Sequence, residues 1–124
     1  MRLHVKQYKQ HKMYLHARRK IRIRRKVFGI VEKPRLSVFR SAKHIYVQAI
    51  DDKNGITISS ATSLDLKNEE NFSKVIEAMK VGELLGNRLH EKGVKMAIFD
   101  RNGFAFSGRV AALAEGVRKM GVKF

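Results

Sequence analysis

At 124 residues the chain has room for one domain, and it carries 27 Lys and Arg against 11 Asp and Glu, a formal net charge of +16. Cysteine is absent, which removes disulfide frameworks, Cys-based zinc sites and thiol nucleophiles and fits a reducing compartment. No apolar run approaches the roughly 18 residues of a membrane span, so a soluble protein is expected.

The first 31 residues contain eleven Lys or Arg and no Asp or Glu, with the density peaking at Arg18-Arg19-Lys20-Ile21-Arg22-Ile23-Arg24-Arg25-Lys26. Residues 1–44 hold fifteen basic groups and one acidic group, whereas residues 45–124 hold twelve and ten. Nearly all the charge therefore sits in one third of the chain. A secretory signal is excluded because residues 1–20 lack an apolar core, and the basic run continues into Lys33-Pro34-Arg35 without the composition break of a transit peptide. Residues 6–28 contain neither Pro nor Gly, and Tyr14, Ala17, Ile21 and Phe28 share one helical face. Five like-charge pairs at i,i+3 and i,i+4 between residues 18 and 26 oppose that helix by roughly 1–2.5 kcal/mol. The segment is expected to be frayed when free and ordered when phosphates neutralise it.

Gly29 and Pro34 mark a change of texture. Three β-branched and aromatic runs follow, over 36–40, 45–50 and 56–61, each with period-two character. Ser41-Ala42-Lys43-His44 joins the first two and Asp51-Asp52-Lys53-Asn54-Gly55, with its Asn-Gly turn signal, joins the next, so an antiparallel meander is predicted. Phe72, Val75, Ile76, Met79, Leu85 and Leu89 then recur at helical spacing up to Gly93, and Gly82 and Gly86 within this helix predict close packing of one face on the sheet. Residues 94–99 read as a central strand buried on both sides, reached by a parallel crossover. A last helix spans about 109–120 with Val110, Leu113, Ala114 and Val117 inward and Gly121 as its stop. The expected architecture is α/β in the order β-β-β-α-β-α: three antiparallel strands plus one parallel strand with two packed helices. Residues 1–33 form a basic arm before a globular domain over 34–124.

The arm carries the strongest chemical signal. Arg18, Arg19, Lys20, Arg22, Arg24, Arg25 and Lys26, interleaved with Tyr8, Tyr14 and Phe28, suit phosphate contact and occasional stacking on bases. A merely solvated charged segment normally mixes signs, and this one does not. The histidines His4, His11, His16, His44 and His90 show no metal-ligand spacing. Carboxylates at Asp51, Asp65, Glu77 and Asp100 raise the alternative of a two-metal nuclease, although turn and surface positions suit them better. In Asp100-Arg101-Asn102-Gly103 and Ser107-Gly108-Arg109, a Gly before a helix start with Arg109 in the first turn suits an anion site; the competing reading pairs Arg109 with Asp100.

Over almost its whole length the chain resembles the bacterial-type family of large-subunit ribosomal proteins numbered eighteen. The resemblance is carried by Arg18-Arg19-Lys20 to Lys26 leading into Lys33-Pro34-Arg35-Leu36-Ser37-Val38-Phe39-Arg40-Ser41. It continues in Lys43-His44-Ile45-Tyr46 with Asp51-Asp52, in Phe99-Asp100-Arg101-Asn102-Gly103, in Ser107-Gly108-Arg109-Val110, and in the ending Gly121-Val122-Lys123-Phe124. It implies a structural, non-enzymatic constituent of the large ribosomal subunit that binds 5S rRNA and helps attach it to 23S rRNA in the central protuberance, beside other 5S-binding proteins. No cofactor, metal, membrane or small-molecule substrate is implied, and the location would be a cytoplasmic or organellar ribosome. Carried over by position, the arm's cations would line rRNA backbone. Arg35, Arg40, Lys43, His44 and Tyr46 would extend that surface over the start of the sheet, with Arg101 and Arg109 in the later loop. The rival reading is a non-ribosomal basic nucleic-acid-binding protein.

Overall fold

The computed structural model describes residues 27–66 and 73–124. The predicted arm helix, with Tyr14, Ala17 and Ile21, lies outside the described residues, as does Phe72. The element order is β1 (Arg35–Arg40), β2 (Ile45–Asp51), β3 (Ile56–Thr62), a 3-10 turn (Ser63–Asp65), α1 (Lys74–Glu91), β4 (Ile98–Asp100) and α2 (Gly108–Lys119). The strands form one sheet in the order β3-β2-β1-β4, antiparallel except for the β1–β4 pair.

Local chemistry sets each connection. Between β1 and β2 the Ser41 N–H donates to the His44 carbonyl at 2.8 Å, and the His44 N–H donates to Ser41 Oγ at 3.2 Å. At the β2–β3 hairpin Asp51 Oδ1 accepts from the Lys53 N–H at 3.0 Å and Oδ2 accepts from Asn54 Nδ2 at 2.7 Å, while Gly55 takes φ 66°. The short Asp side chain thus closes the turn in place of a backbone group. Thr62 and Asp65 form a reciprocal capping box on the 3-10 turn. Ser73 caps α1 through the Ile76 N–H at 3.3 Å.

Alternation along β2 separates the two faces of the sheet. Ile45, Val47, Ala49 and Asp51 are buried, whereas Tyr46, Gln48 and Ile50 are half-buried. The core joins Leu36, Val38, Val47, Ala49 and Ala61 of the sheet to Ala78, Val81, Leu85 and Leu89 of α1 and Val110, Leu113 and Val117 of α2. Arg35, Ser37 and Phe39 lie on the opposite face, paired across with Ile50, Gln48 and Tyr46.

The structure corrects three expectations. First, the glycines of α1 pack against α2 and not on the sheet. A Cβ at Gly82 would overlap the Leu113 carbonyl oxygen, and one at Gly86 would lie 2.7 Å from Met120 Cβ. Gly116 of α2 answers from the other side, where a Cβ would overlap the Met79 carbonyl oxygen. Spacing cannot say which neighbour a small-residue face meets. Second, Val75 and Ile76 are 47% and 49% exposed, and the buried face of α1 runs through Ala78, Val81, Gly82, Leu85, Gly86 and Leu89. A reading weighted toward large apolar side chains misplaced the stripe because small residues make up half of it. Third, the expected central strand over 94–99 is the three-residue β4 at the edge of the sheet. Val94 and Ala97 are buried but Met96 is 48% exposed. The chain end lies alongside, with the Ala97 N–H donating to the Lys123 carbonyl and the Lys123 N–H to the Lys95 carbonyl, both at 3.0 Å. A short apolar run reads the same whether a strand or a terminal segment covers it.

Candidate nucleic-acid interface

Seven of the predicted site residues are described, and five of them converge on one end of the sheet. Arg40 is exposed at the end of β1, Lys43 and His44 are exposed in the following turn, and Tyr46 is half-buried at the start of β2. Because β4 runs parallel to β1, the loop after it comes up beside the same end. Asn102 Nδ2 donates to Ser37 Oγ at 2.6 Å and to the Val38 carbonyl at 2.7 Å. Asn102 and Gly103 take φ 53° and 78°, the left-handed pair that a tight turn requires. That turn carries the exposed Arg101 and brings Phe104 beside Phe39.

Three aromatic rings are arranged around this end. Phe39 is 50% exposed and lies 6.1 Å from Tyr46, tilted by 56°, and 6.1 Å from Phe104, edge to face. The Arg40 guanidinium sits over the Phe104 ring at 5.2 Å from its centroid. A depression of about 340 Å³ opens beside them, lined by Phe39, Ser41, His44, Ile45, Tyr46, Thr62 and Leu64. His44 Nδ1 lies 3.2 Å from Ser63 Oγ, which also accepts the Ile45 N–H at 3.3 Å, so the imidazole edge is held at the rim. Arg40, Lys43, Arg101 and Arg109 form no ion pair among the described residues. Exposed aromatic faces beside cations without carboxylate partners offer stacking and phosphate contact together. Phe39 was missed as a site residue, although alternation carried the signal: it is out of phase with Leu36 and Val38 and directly opposite Tyr46.

The remaining candidates sit elsewhere. Arg109 is half-buried in the first turn of α2, and Asp100 does not close the loop onto it. Asp100 pairs instead with Arg35, whose Nη1 donates to Asp100 Oδ2 at 2.8 Å. The same guanidinium grips Asp52 with a fork, Nε to Oδ2 at 2.9 Å and Nη2 to Oδ1 at 3.0 Å. Arg35 is only 4% exposed and lies at the opposite end of β1 from Arg40, so it is not part of the surface on which the sequence placed it. The hydrogen bond to Asp52 raises its pKa, with a smaller rise from Asp100, against the lowering effect of burial. Arg18, Arg19, Lys20, Arg22, Arg24, Arg25 and Lys26 lie outside the described residues.

The four carboxylates of the nuclease alternative are not brought together. Asp51 closes its hairpin, Asp65 caps the 3-10 turn and pairs with Arg88 at 3.2 Å, Glu77 sits in the first turn of α1, and Asp100 holds Arg35. Among the described residues no group of three or more His, Asp or Glu is placed to hold a metal, and no helix is long and apolar enough to cross a membrane.

Comparison with known proteins shows the family. Residues 10–124 match the family described as ribosomal L18 of archaea, bacteria, mitochondria and chloroplast. The chain is similar to large ribosomal subunit protein uL18 of Desulfatibacillum aliphaticivorans, 51% identical over 112 residues, which are 88% of this chain and 92% of that protein. It is 50% identical over 119 residues to uL18 of Thermotoga petrophila, covering 94% and 98% of the two chains. With uL18 of Thermotoga neapolitana it shares 54% over 110 residues, covering 86% and 90%. Matched by the family over residues 10–124 and by relatives at about half identity over most of its length, the chain belongs to the ribosomal L18 family, whose members are structural components of the ribosome and not enzymes.

Proposed function

We propose that this chain, as a constituent of the large ribosomal subunit, binds 5S rRNA and helps attach it to 23S rRNA in the central protuberance. The observation that carries the reading is the Phe39–Tyr46–Phe104 cluster, with Phe39 exposed and the other two rings half-buried, flanked by Arg40, Lys43 and Arg101. Unstacked bases suit the rings, and backbone phosphates suit the cations. The acid-free segment over 1–31 adds most of the electrostatic attraction, and it joins the body next to a nearly neutral α/β domain. Affinity comes mainly from the arm's cations, and the choice of RNA from the shaped end of the sheet. Paired RNA has a deep groove closed to side chains, so recognition is of shape, backbone and exposed bases.

Binding to 5S rRNA is compared with binding to duplex DNA of equal length at about 0.15 M salt. A preference for 5S rRNA of two orders of magnitude or more is expected, and that RNA should co-purify with the tagged protein. Equal affinities would replace this reading with that of a generic nucleic-acid binder.

A further inference from the structure

Arg35 belongs by sequence to the basic run, yet its guanidinium turns inward and the residue is buried. Asp52 accepts two of them and also accepts the Gly29 N–H, through Oδ2 at 2.8 Å. The Asp52 N–H in turn donates to the Gly29 carbonyl at 2.9 Å. Gly29 is therefore held by both backbone groups to the residue that Arg35 grips. It is buried, and a Cβ there would overlap the Ile50 carbonyl oxygen and lie 2.9 Å from Arg35 Cβ. Ile30 and Lys33 exchange reciprocal backbone bonds at 3.1 Å, which closes the turn between Gly29 and β1. Asp100 takes the remaining arm of the guanidinium and, through Oδ1, the Asn102 N–H at 2.9 Å.

We infer that Arg35 is a positioning residue, not an RNA ligand: with Asp52 it locks Gly29 to the end of the sheet and sets the direction in which the basic segment before residue 29 leaves the domain. One guanidinium thereby relates the root of the arm to the β4–α2 loop that carries Arg101 and Phe104. A fixed root raises the effective concentration of the arm's cations at RNA already docked on the domain, because the second contact becomes intramolecular. Asn at position 52 would turn an amide donor toward donors of Arg35 or Gly29 and release the root without removing any surface cation.

The test uses the full chain, whose lack of cysteine allows paired labels at Phe28→Cys and Ile56→Cys, both at exposed positions. The label-to-label distance distribution is measured without RNA, and RNA affinity is measured across salt concentrations. In the otherwise unaltered protein one narrow distribution is expected. Asp52→Asn should broaden it and weaken RNA binding about tenfold while leaving the slope of log K against log salt unchanged, since no phosphate contact is lost. Gly29→Ala, which removes no charged group but forces Gly29 away from Ile50 and Arg35, should broaden it equally and decides the matter if Asp52→Asn fails to melt cooperatively. A narrow distribution in a folded variant would overturn the inference. So would Arg35→Lys reducing the salt slope by about one with the distance unchanged, the signature of a direct phosphate contact. The RNA arm rests on the proposed function, but the label distances do not, so loss of 5S preference and loss of the clamp are separate results.

Discussion

Replacing Gly82 by Ala should destabilise the protein although Ala is the better helix former. In a helix interior Ala gains about 1 kcal/mol over Gly. Here the added methyl would overlap the Leu113 carbonyl oxygen and sit 3.0 Å from the Leu113 carbonyl carbon and 3.1 Å from the Val117 nitrogen. All three are backbone atoms of α2, so no rotamer change relieves the overlap and the two helices must separate. Overpacking a tight core costs typically about 1–3 kcal/mol, and a rigid backbone target places this site at the upper end. After the propensity gain the net loss is roughly 2 kcal/mol, a fall in Tm on the order of 8–16 °C for a domain of this size. Thermal and urea unfolding of the full chain followed by circular dichroism provide the assay. Asn87→Ala, at an exposed position of the same helix, serves as the control and should leave Tm unchanged or slightly higher. A Gly82→Ala protein melting at or above the parent would refute the close-approach reasoning.

Further outcomes concern the RNA interface. Phe39→Ala should reduce rRNA affinity about 5- to 150-fold, the range for losing one stacked base, while lowering Tm by only a few degrees because the ring is half exposed; a filter-binding titration reads the first and a melting curve the second. If about eight phosphates are neutralised, log K should fall with log salt at a slope of roughly −6 to −7, and a slope near −1 would remove the electrostatic part of the reading. Deleting residues 1–28 should leave cooperative melting intact, because the described contacts of the root begin at Gly29, yet weaken RNA binding by orders of magnitude. Non-cooperative melting of that truncated protein would instead make the arm part of the core.

Period-two alternation and turn chemistry made the meander legible, because Asp51, Asn54 and Gly55 act through local hydrogen bonds and dihedral angles that need no distant partner. The last helix was legible for the same reason, with Val110, Leu113, Ala114 and Val117 at one spacing and Gly121 at φ 93° beyond them. Charge segregation between 1–44 and the rest, a property of composition, pointed to a polyanion before any contact was known. Tertiary structure decided what depends on residues far apart in the chain. Gly82 found Leu113 and not the sheet, β4 took the edge, and Phe39 became the exposed member of a ring pair with Tyr46. Arg35 shows the division most sharply. Its sequence neighbourhood is that of an RNA-facing cation, but Asp52 and Asp100, 17 and 65 residues away, converge on its guanidinium. A guanidinium keeps its charge even out of water, so burying one is tolerated only where carboxylates offset the lost hydration, and only the fold brings those two together.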